Sequence, residues 1–328
     1  MIVSAVLVVG GVLLLYLGAD WLVRGASSLG VRAGISPLIV GLTVVSMGTS
    51  APELVVCILA ALGGSPDIAI GNVLGSNFAN VGLILGLGAL IRPLDVAGGV
   101  IRRDIPWMLA VTVVTFPLLL NLNVGLVEGG VLAVVFVFYL GVLLRSAQRS
   151  RAFRERVAGL ADGPATEGSG GEASGSWRSF VLPIAGVAAG SVLLVGGGTG
   201  VVRGATELAA ALGVPELLVG LTVVAIGTSL PELATVILSA LRHESGLAVG
   251  NIVGSNVFNL TFVLGGTAVI APITLPSRIL SVEYPVVLLV SAALLPLALL
   301  RRRLGRPEGI VLLLLYAAAW WWMGVPGG

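Results

Sequence analysis

The 328-residue sequence has no lysine, one cysteine and one histidine, and only 10 % of its residues are charged. So few charges, beside 57 % hydrophobic residues and a mean hydropathy of +1.08, exclude a soluble globular domain. The lone Cys57 has no partner in the chain, which excludes an intrachain disulfide, and its place in an apolar run makes packing its default role. A single histidine, His243, leaves no material for a His-based metal centre, and no nucleophile and base pair is visible. The chain therefore reads as no enzyme and as requiring no cofactor. Strict alternation of polar and apolar residues is missing as well, which argues against a transmembrane β-barrel.

What is present is a succession of long apolar runs. A helix that crosses a bilayer needs about 20 mostly apolar residues at about 1.5 Å rise each. Runs of that kind occupy Ile2 to Val23, Pro37 to Leu62, Ile68 to Ile91, Ile105 to Leu120, Val127 to Leu144, Phe180 to Val201, Glu216 to Leu241, Leu247 to Ile270, Ile279 to Leu299 and Gly309 to Met323. The sequence thus predicts an all-α membrane protein of ten transmembrane helices. The first run has no basic flank or small-residue cleavage site and reads as a retained helix. With both termini outside, sixteen of the 18 arginines fall in inside loops and only Arg203 and Arg278 outside, the bias that cytoplasmic loops carry. The arginine clusters then need no nucleic-acid partner, and no obligatory protein partner is evident.

Self-similarity organises the chain further. GLTVVSMGTSAPEL, from Gly41 to Leu54, returns as GLTVVAIGTSLPEL from Gly220 to Leu233, an offset of 179 residues. GNVLGSNFAN, from Gly71 to Asn80, returns as GNIVGSNVFN from Gly250 to Asn259 at the same offset. Residues 1–144 and 180–328 therefore read as two five-helix repeats, joined by a Gly-, Ser- and Glu-rich flexible cytoplasmic linker over 145–179. Five spans per half is odd, so the second repeat is expected to enter the membrane inverted. Inverted repeats with interrupted helices in matching places are the sequence pointer to a secondary transporter with a mid-membrane site.

The interruptions carry the chemistry. Pro52 and Pro231 cannot donate to the carbonyls of Gly48 and Gly227, and such freed groups are tolerated in a membrane where they line a cavity or find a new partner. Beside each proline stands a glutamate, Glu53 or Glu232, whose charge costs at least about 2.5 kcal/mol at membrane depth. A bound cation answers both problems. Ca²⁺ prefers six to eight oxygens from carboxylates and carbonyls, and Thr49, Ser50, Thr228 and Ser229 add hydroxyls. On the following spans Ser76 and Asn80 share one helical face, as do Ser255 and Asn259. Asn72 and Asn251 precede them, and Gly71, Gly75, Gly250 and Gly254 would allow close approach to the broken helices. Interhelical hydrogen bonding is the rival reading for these serines and asparagines. Asp20 can pair Arg24 on the next turn, while Asp67, Asp104 and Glu283 read as solvated charges or helix-end partners. Trp320, Trp321 and Trp322 read as an interfacial anchor.

At the two GTSxPE and two GNxxGSNxxN motifs the chain resembles the cation/Ca²⁺ exchanger superfamily, and within it the prokaryotic Na⁺/Ca²⁺ exchangers. The likeness covers nearly all of the chain except the linker. It implies a multi-pass protein of the prokaryotic inner (cell) membrane that exchanges Ca²⁺ for Na⁺ by alternating access. It further implies a central Ca²⁺ site of Glu53, Glu232 and the carbonyls of Thr49 and Thr228. Na⁺ sites would add Ser50, Ser229, Ser76, Ser255 and the carbonyls of Ser46 and Ala225, with Asn80 and Asn259 completing the middle. Sliding of the first and sixth spans over the remainder would switch access. Asn259 stands where some members, including the K⁺-dependent branch, carry aspartate, and the GNxxEH pattern of H⁺/Ca²⁺ exchangers is missing. H⁺/Ca²⁺ antiport on the same carboxylates is the nearest rival, and a Ca²⁺-permeable channel is a rival of another class.

Overall fold

A computed structural model describes residues 1–161, 178–212 and 225–324. It is almost wholly helical. In chain order the helices are α1 (Ile2–Ala33), α2 (Pro37–Val40), α3 (Ser46–Thr49), α4 (Ala51–Leu62), α5 (Pro66–Ala79), α6 (Leu85–Ile91), α7 (Ile105–Leu118) and α8 (Leu126–Ala161). They continue with α9 (Arg178–Ala211), α10 (Ala225–Gly227), α11 (Leu230–Leu241), α12 (Ser245–Phe258), α13 (Leu264–Ile270), α14 (Tyr284–Arg301) and α15 (Arg306–Gly324). Short π-helical turns, Gly41–Val45, Asn80–Ile84, Val100–Asp104, Asn259–Val263 and Ile279–Glu283, link several of them end to end. Among the described residues seven helical runs are long and apolar enough to cross a bilayer.

Burial separates centre from rim. The run Ser245–Ile270 is 94 % buried and Pro66–Ile91 is 72 % buried, whereas the runs at α1, α8 and α9 are only 22–28 % buried. The rim helices turn large apolar side chains outward, Leu13, Val134 and Leu182 among them, the inverse of a soluble protein. The main apolar core surrounds α5, α12 and α14. A second, smaller cluster lies beneath α1 and α9, built from Leu15, Leu22 and Leu194 with Leu238 and Leu247.

α1 and α9 lie against each other along most of their length. Their glycines explain how: a Cβ on Gly11 would sit 2.7 Å from the Gly197 carbonyl oxygen, and one on Gly18 would sit 2.8 Å from that of Gly190. Small residues let membrane helices come into backbone contact, where dispersion and packing replace the hydrophobic drive that lipid cannot supply.

Matching segments of the two halves form matching elements. Four two-residue strands, β1 (Leu94–Asp95), β2 (Asn123–Val124), β3 (Ile273–Thr274) and β4 (Arg303–Leu304), pair antiparallel as β1 with β4 and β2 with β3. Each pair thus joins one half to the other. α6 packs on α15, and its counterpart α13 packs on α8.

The structure corrects several sequence expectations. The helices that begin the two halves run on past Val23 and Val201, to Ala33 and Ala211, because a helix needs only backbone hydrogen bonds to continue once its side chains turn polar. The helix expected to stop at Leu144 reaches Ala161, so the first part of the 145–179 segment is helical. Of that segment 162–177 lie outside the described residues, as do 213–224, which include 216–224 of the seventh expected span. Asp104 is fully buried and not solvated: Arg103 donates to it at 2.7 and 3.1 Å. Glu283 pairs with Arg278 at 3.2 Å. The expected Asp20–Arg24 pair is present at 3.0 Å, and Arg242, at the end of α11, joins the same carboxylate.

Candidate ion site

The site begins with two backbone breaks of the same shape. Ser50, between α3 and α4, has φ −87° and ψ 4°, and Ser229, before α11, has φ −89° and ψ 6°. In both cases proline occupies one of the first two positions of the next helix, where its missing N–H costs nothing. The glutamate therefore falls in the first turn of α4 or α11, beside the positive end of a helix dipole. Glu53 and Glu232 are both fully buried.

The two breaks meet. The Ser50 hydroxyl of the first donates to Glu232 Oε1 of the second at 3.4 Å. Thr49 donates to Asn251 Oδ1 on α12 at 3.1 Å, and Ser46 donates to the Asn251 carbonyl at 3.0 Å. This approach depends on a bare helix face, since a Cβ on Gly250 would lie 2.6 Å from the Leu38 carbonyl oxygen. Gly254 serves likewise, whereas a Cβ on Gly71 or Gly75 meets nothing within 4 Å among the described residues.

The oxygens then sort into two groups. Ser46, Thr49 and Ser255 donate to protein acceptors, Ser255 to Asn251 Oδ1 at 3.5 Å. In contrast, both oxygens of Glu53, Oε2 of Glu232, the hydroxyls of Ser76, Thr228 and Ser229, and the amide oxygens of Asn80 and Asn259 are buried with no hydrogen-bond partner among the described residues. An uncompensated buried acceptor costs about 1–3 kcal/mol, and more when charged. So many in one fold, on residues that recur between the halves, are oxygens that a positively charged ligand could satisfy. No group of three or more His, Cys, Asp or Glu side chains exists among the described residues. Such a ligand would therefore meet two carboxylates and otherwise neutral oxygen. Ala225, whose carbonyl is the remaining sequence candidate, opens the one-turn helix α10.

Two residues escaped the sequence reading. Asn77 and Asn256 face each other across the meeting of α5 and α12, each side-chain amide donating to the other's main-chain carbonyl, at 3.0 and 3.4 Å. Their side-chain oxygens in turn accept from the candidate asparagines: Asn256 Oδ1 from Asn80 Nδ2 at 3.0 Å, and Asn77 Oδ1 from Asn259 Nδ2 at 3.1 Å. With the Nδ2 ends held, the Oδ1 ends of Asn80 and Asn259 are the ones left free. Their presence at one offset inside both GSN segments was the signal available. Asn72, by contrast, donates to Cys57 Sγ at 3.3 Å, which makes it a packing contact. Replacing Asn77 or Asn256 by leucine is expected to strand two or more buried polar groups and lower stability by about 1–3 kcal/mol for each, read as a fall in thermal unfolding temperature in detergent. An unchanged midpoint would show that the amides orient nothing.

Known proteins resemble this chain over most of its length. Residues 3–145 and 182–325 match the family described as sodium/calcium exchanger protein. Inner membrane protein YrbG of Escherichia coli is 41 % identical over 297 residues, 89 % of this chain and 87 % of that protein. The sodium/calcium exchanger MaX1 of Methanosarcina acetivorans is 30 % identical over 325 residues, 92 % of this chain and 93 % of that one. A solved structure of the sodium-calcium exchanger NCX_Mj, soaked with zero Na⁺ and Ca²⁺, superposes with a TM-score of 0.81 at 28 % identity, covering 98 % of this chain and 99 % of the other.

Proposed function

This chain belongs to the sodium/calcium exchanger family, and on that premise we propose that it exchanges Ca²⁺ for Na⁺ by alternating access, through a buried site centred on Glu53 and Glu232. The observation that carries the reading is the set of buried oxygens without partners, three of them carboxylate oxygens of those two residues. Two carboxylates balance one Ca²⁺, and neutral oxygens complete the six to eight that Ca²⁺ takes. The ligands are Glu53, Glu232 and the main-chain carbonyls of Thr49 and Thr228. Ser50, Ser229, Ser76 and Ser255, with the carbonyls of Ser46 and Ala225, serve Na⁺, and Asn80 and Asn259 complete the centre. Ca²⁺ and Na⁺ then exclude each other by sharing carboxylates. An emptied site leaves two buried negative charges facing one another, which opposes reorientation without cargo and so enforces exchange.

The architecture that suits this is ten spans in two inverted five-helix repeats, with both termini outside and the 145–179 segment in the cytoplasm. Cross-pairing of the small strands, β1 with β4 and β2 with β3, is what a two-fold relation between halves would give. α1 and α9, joined to each other by backbone contacts and resting on their own apolar cluster, are suited to move as one body. The membrane is a prokaryotic inner (cell) membrane, and the partners are Ca²⁺, Na⁺ and lipid.

The test is ⁴⁵Ca²⁺ uptake by proteoliposomes. Uptake is expected under an outward Na⁺ gradient at clamped pH and not under a pH gradient in Na⁺-free medium. The opposite pattern assigns the protein to H⁺ exchange, and single-channel currents assign it to the channels.

A further inference from the structure

Where α1 leaves the apolar zone, its polar end borders a cavity of about 600 Å³ shared with the start of α12. Arg24, Arg32 and Arg242 line it, together with Ser27, Ser28 and Glu244. Glu244 accepts from Ser27 at 2.7 Å, and Asp20 is shared by Arg24 and Arg242. Three guanidinium groups thus stand against two carboxylates. Arg32 hydrogen-bonds Ser28 at 3.1 Å and has no carboxylate partner among the described residues. A second cleft, of about 280 Å³, opens from the same Arg24, Ser28 and Arg32 onto the outer surface between α1 and α9. Its walls are apolar: Trp21 is 48 % exposed and Leu182 is 83 % exposed. Its floor is Gly25 and Gly186, where the two backbones meet: a Cβ on Gly25 would lie 2.7 Å from the Pro183 carbonyl oxygen.

A cationic, hydroxyl-lined pocket that continues into an apolar groove on the lipid-facing surface has the shape and chemistry of an amphiphile site. Guanidinium forks match phosphate oxygens in pairs, which ammonium groups do not. Trp21, one turn before Arg24, sits where aromatic residues mark the membrane interface. We propose that this cleft binds an anionic phospholipid, with its phosphodiester headgroup on Arg24, Arg32 and Ser28 and an acyl chain along the α1–α9 groove. On the orientation given above, the site faces the cytoplasmic leaflet, which is the leaflet rich in anionic lipid. The headgroup would then lie beside the Asp20–Arg242 and Ser27–Glu244 contacts that tie α1 to the turn between α11 and α12. The inference rests on the membrane reading but not on ion exchange.

Native mass spectrometry tests it. The detergent-purified protein is given equal amounts of palmitoyl-oleoyl phosphatidylglycerol and phosphatidylcholine, with no ion gradient involved, so failure here and failure of exchange are separate results. Wild type is expected to retain the phosphatidylglycerol in preference. Arg32→Gln is expected to weaken that retention about fivefold, the loss of one guanidinium at an anionic surface, while Arg32→Lys keeps most of it. Arg24→Gln with Arg32→Gln is expected to abolish the preference. Equal retention of both lipids by wild type, or an undiminished preference in the double variant, overturns the site. A parallel arm adds millimolar inorganic phosphate: displacement of phosphatidylglycerol by it would make this a free-anion pocket and overturn the lipid assignment. Size-exclusion profiles matching wild type show that the variants are folded.

Discussion

Glu53→Gln or Glu232→Gln is expected to lower Na⁺-driven ⁴⁵Ca²⁺ uptake by at least about 100-fold, since one unit charge at about 4 Å in an effective dielectric of about 20 contributes about 4 kcal/mol, and more for a divalent ion. Glutamine keeps the shape of the side chain and most of its packing, so the loss reports charge. Stability should move the other way from an ordinary core mutation. Both oxygens of Glu53 and one of Glu232 have no partner among the described residues, so removing a charge from the ion-free protein relieves repulsion and leaves its thermal midpoint equal or higher. What disappears is the gain on adding Ca²⁺, which for a ligand at 100 times its Kd is about 2.7 kcal/mol in wild type. Thermal unfolding with and without Ca²⁺ reads both effects. A Glu232→Gln protein that still transports and is still stabilised by Ca²⁺ would remove the two-glutamate site.

The next largest effect concerns the seam between α1 and α9. A Cβ on Gly197 would lie 2.7 Å from the Gly11 carbonyl oxygen and 2.7 Å from the Leu15 amide nitrogen. Both are main-chain atoms, so no rotamer relieves the clash and the helices must separate. Gly197→Val is expected to cost about 1–3 kcal/mol or more through overpacking, and to abolish exchange if the two helices must stay together. Valine at the adjacent Gly196, or at Gly10, provides the control: a Cβ there meets nothing within 4 Å among the described residues. These variants should unfold near the wild-type temperature. Equal damage at Gly196 and Gly197 would show that glycine matters for some reason other than the seam.

Membrane class and the two glutamates were legible early, because a charge inside a long apolar run carries the same cost wherever the chain goes. Less legible were features that depend on what lies across an interface. Asp104 looks solvated from its neighbours in sequence, yet it is buried by packing and the partly exposed Arg103 bends back onto it. Ser46, Thr49 and Ser255 look like equals of Ser76 and Ser229. The approach of α12 to the first break gives Ser46 and Thr49 partners on Asn251, Ser255 bonds Asn251 within α12 itself, and Ser76 and Ser229 have no partner among the described residues. Asn77 and Asn256 were hidden for the same reason, since an amide that orients another amide has no signature apart from the contact itself.

Periodicity, the basic-residue bias and the repeat at one offset determined, without coordinates, that this chain is a helical membrane protein and that each half carries one GTSxPE segment, with its glutamate directly behind a proline. These are local or additive properties: hydropathy sums along a run, and proline breaks whatever helix contains it. The tertiary structure alone decided which buried oxygens find partners, how closely α1 and α9 approach, and where arginines gather beside a lipid-facing groove. Those depend on distances between segments up to about 200 residues apart in sequence, such as Ser27 and Glu244, and no local pattern encodes the space between them.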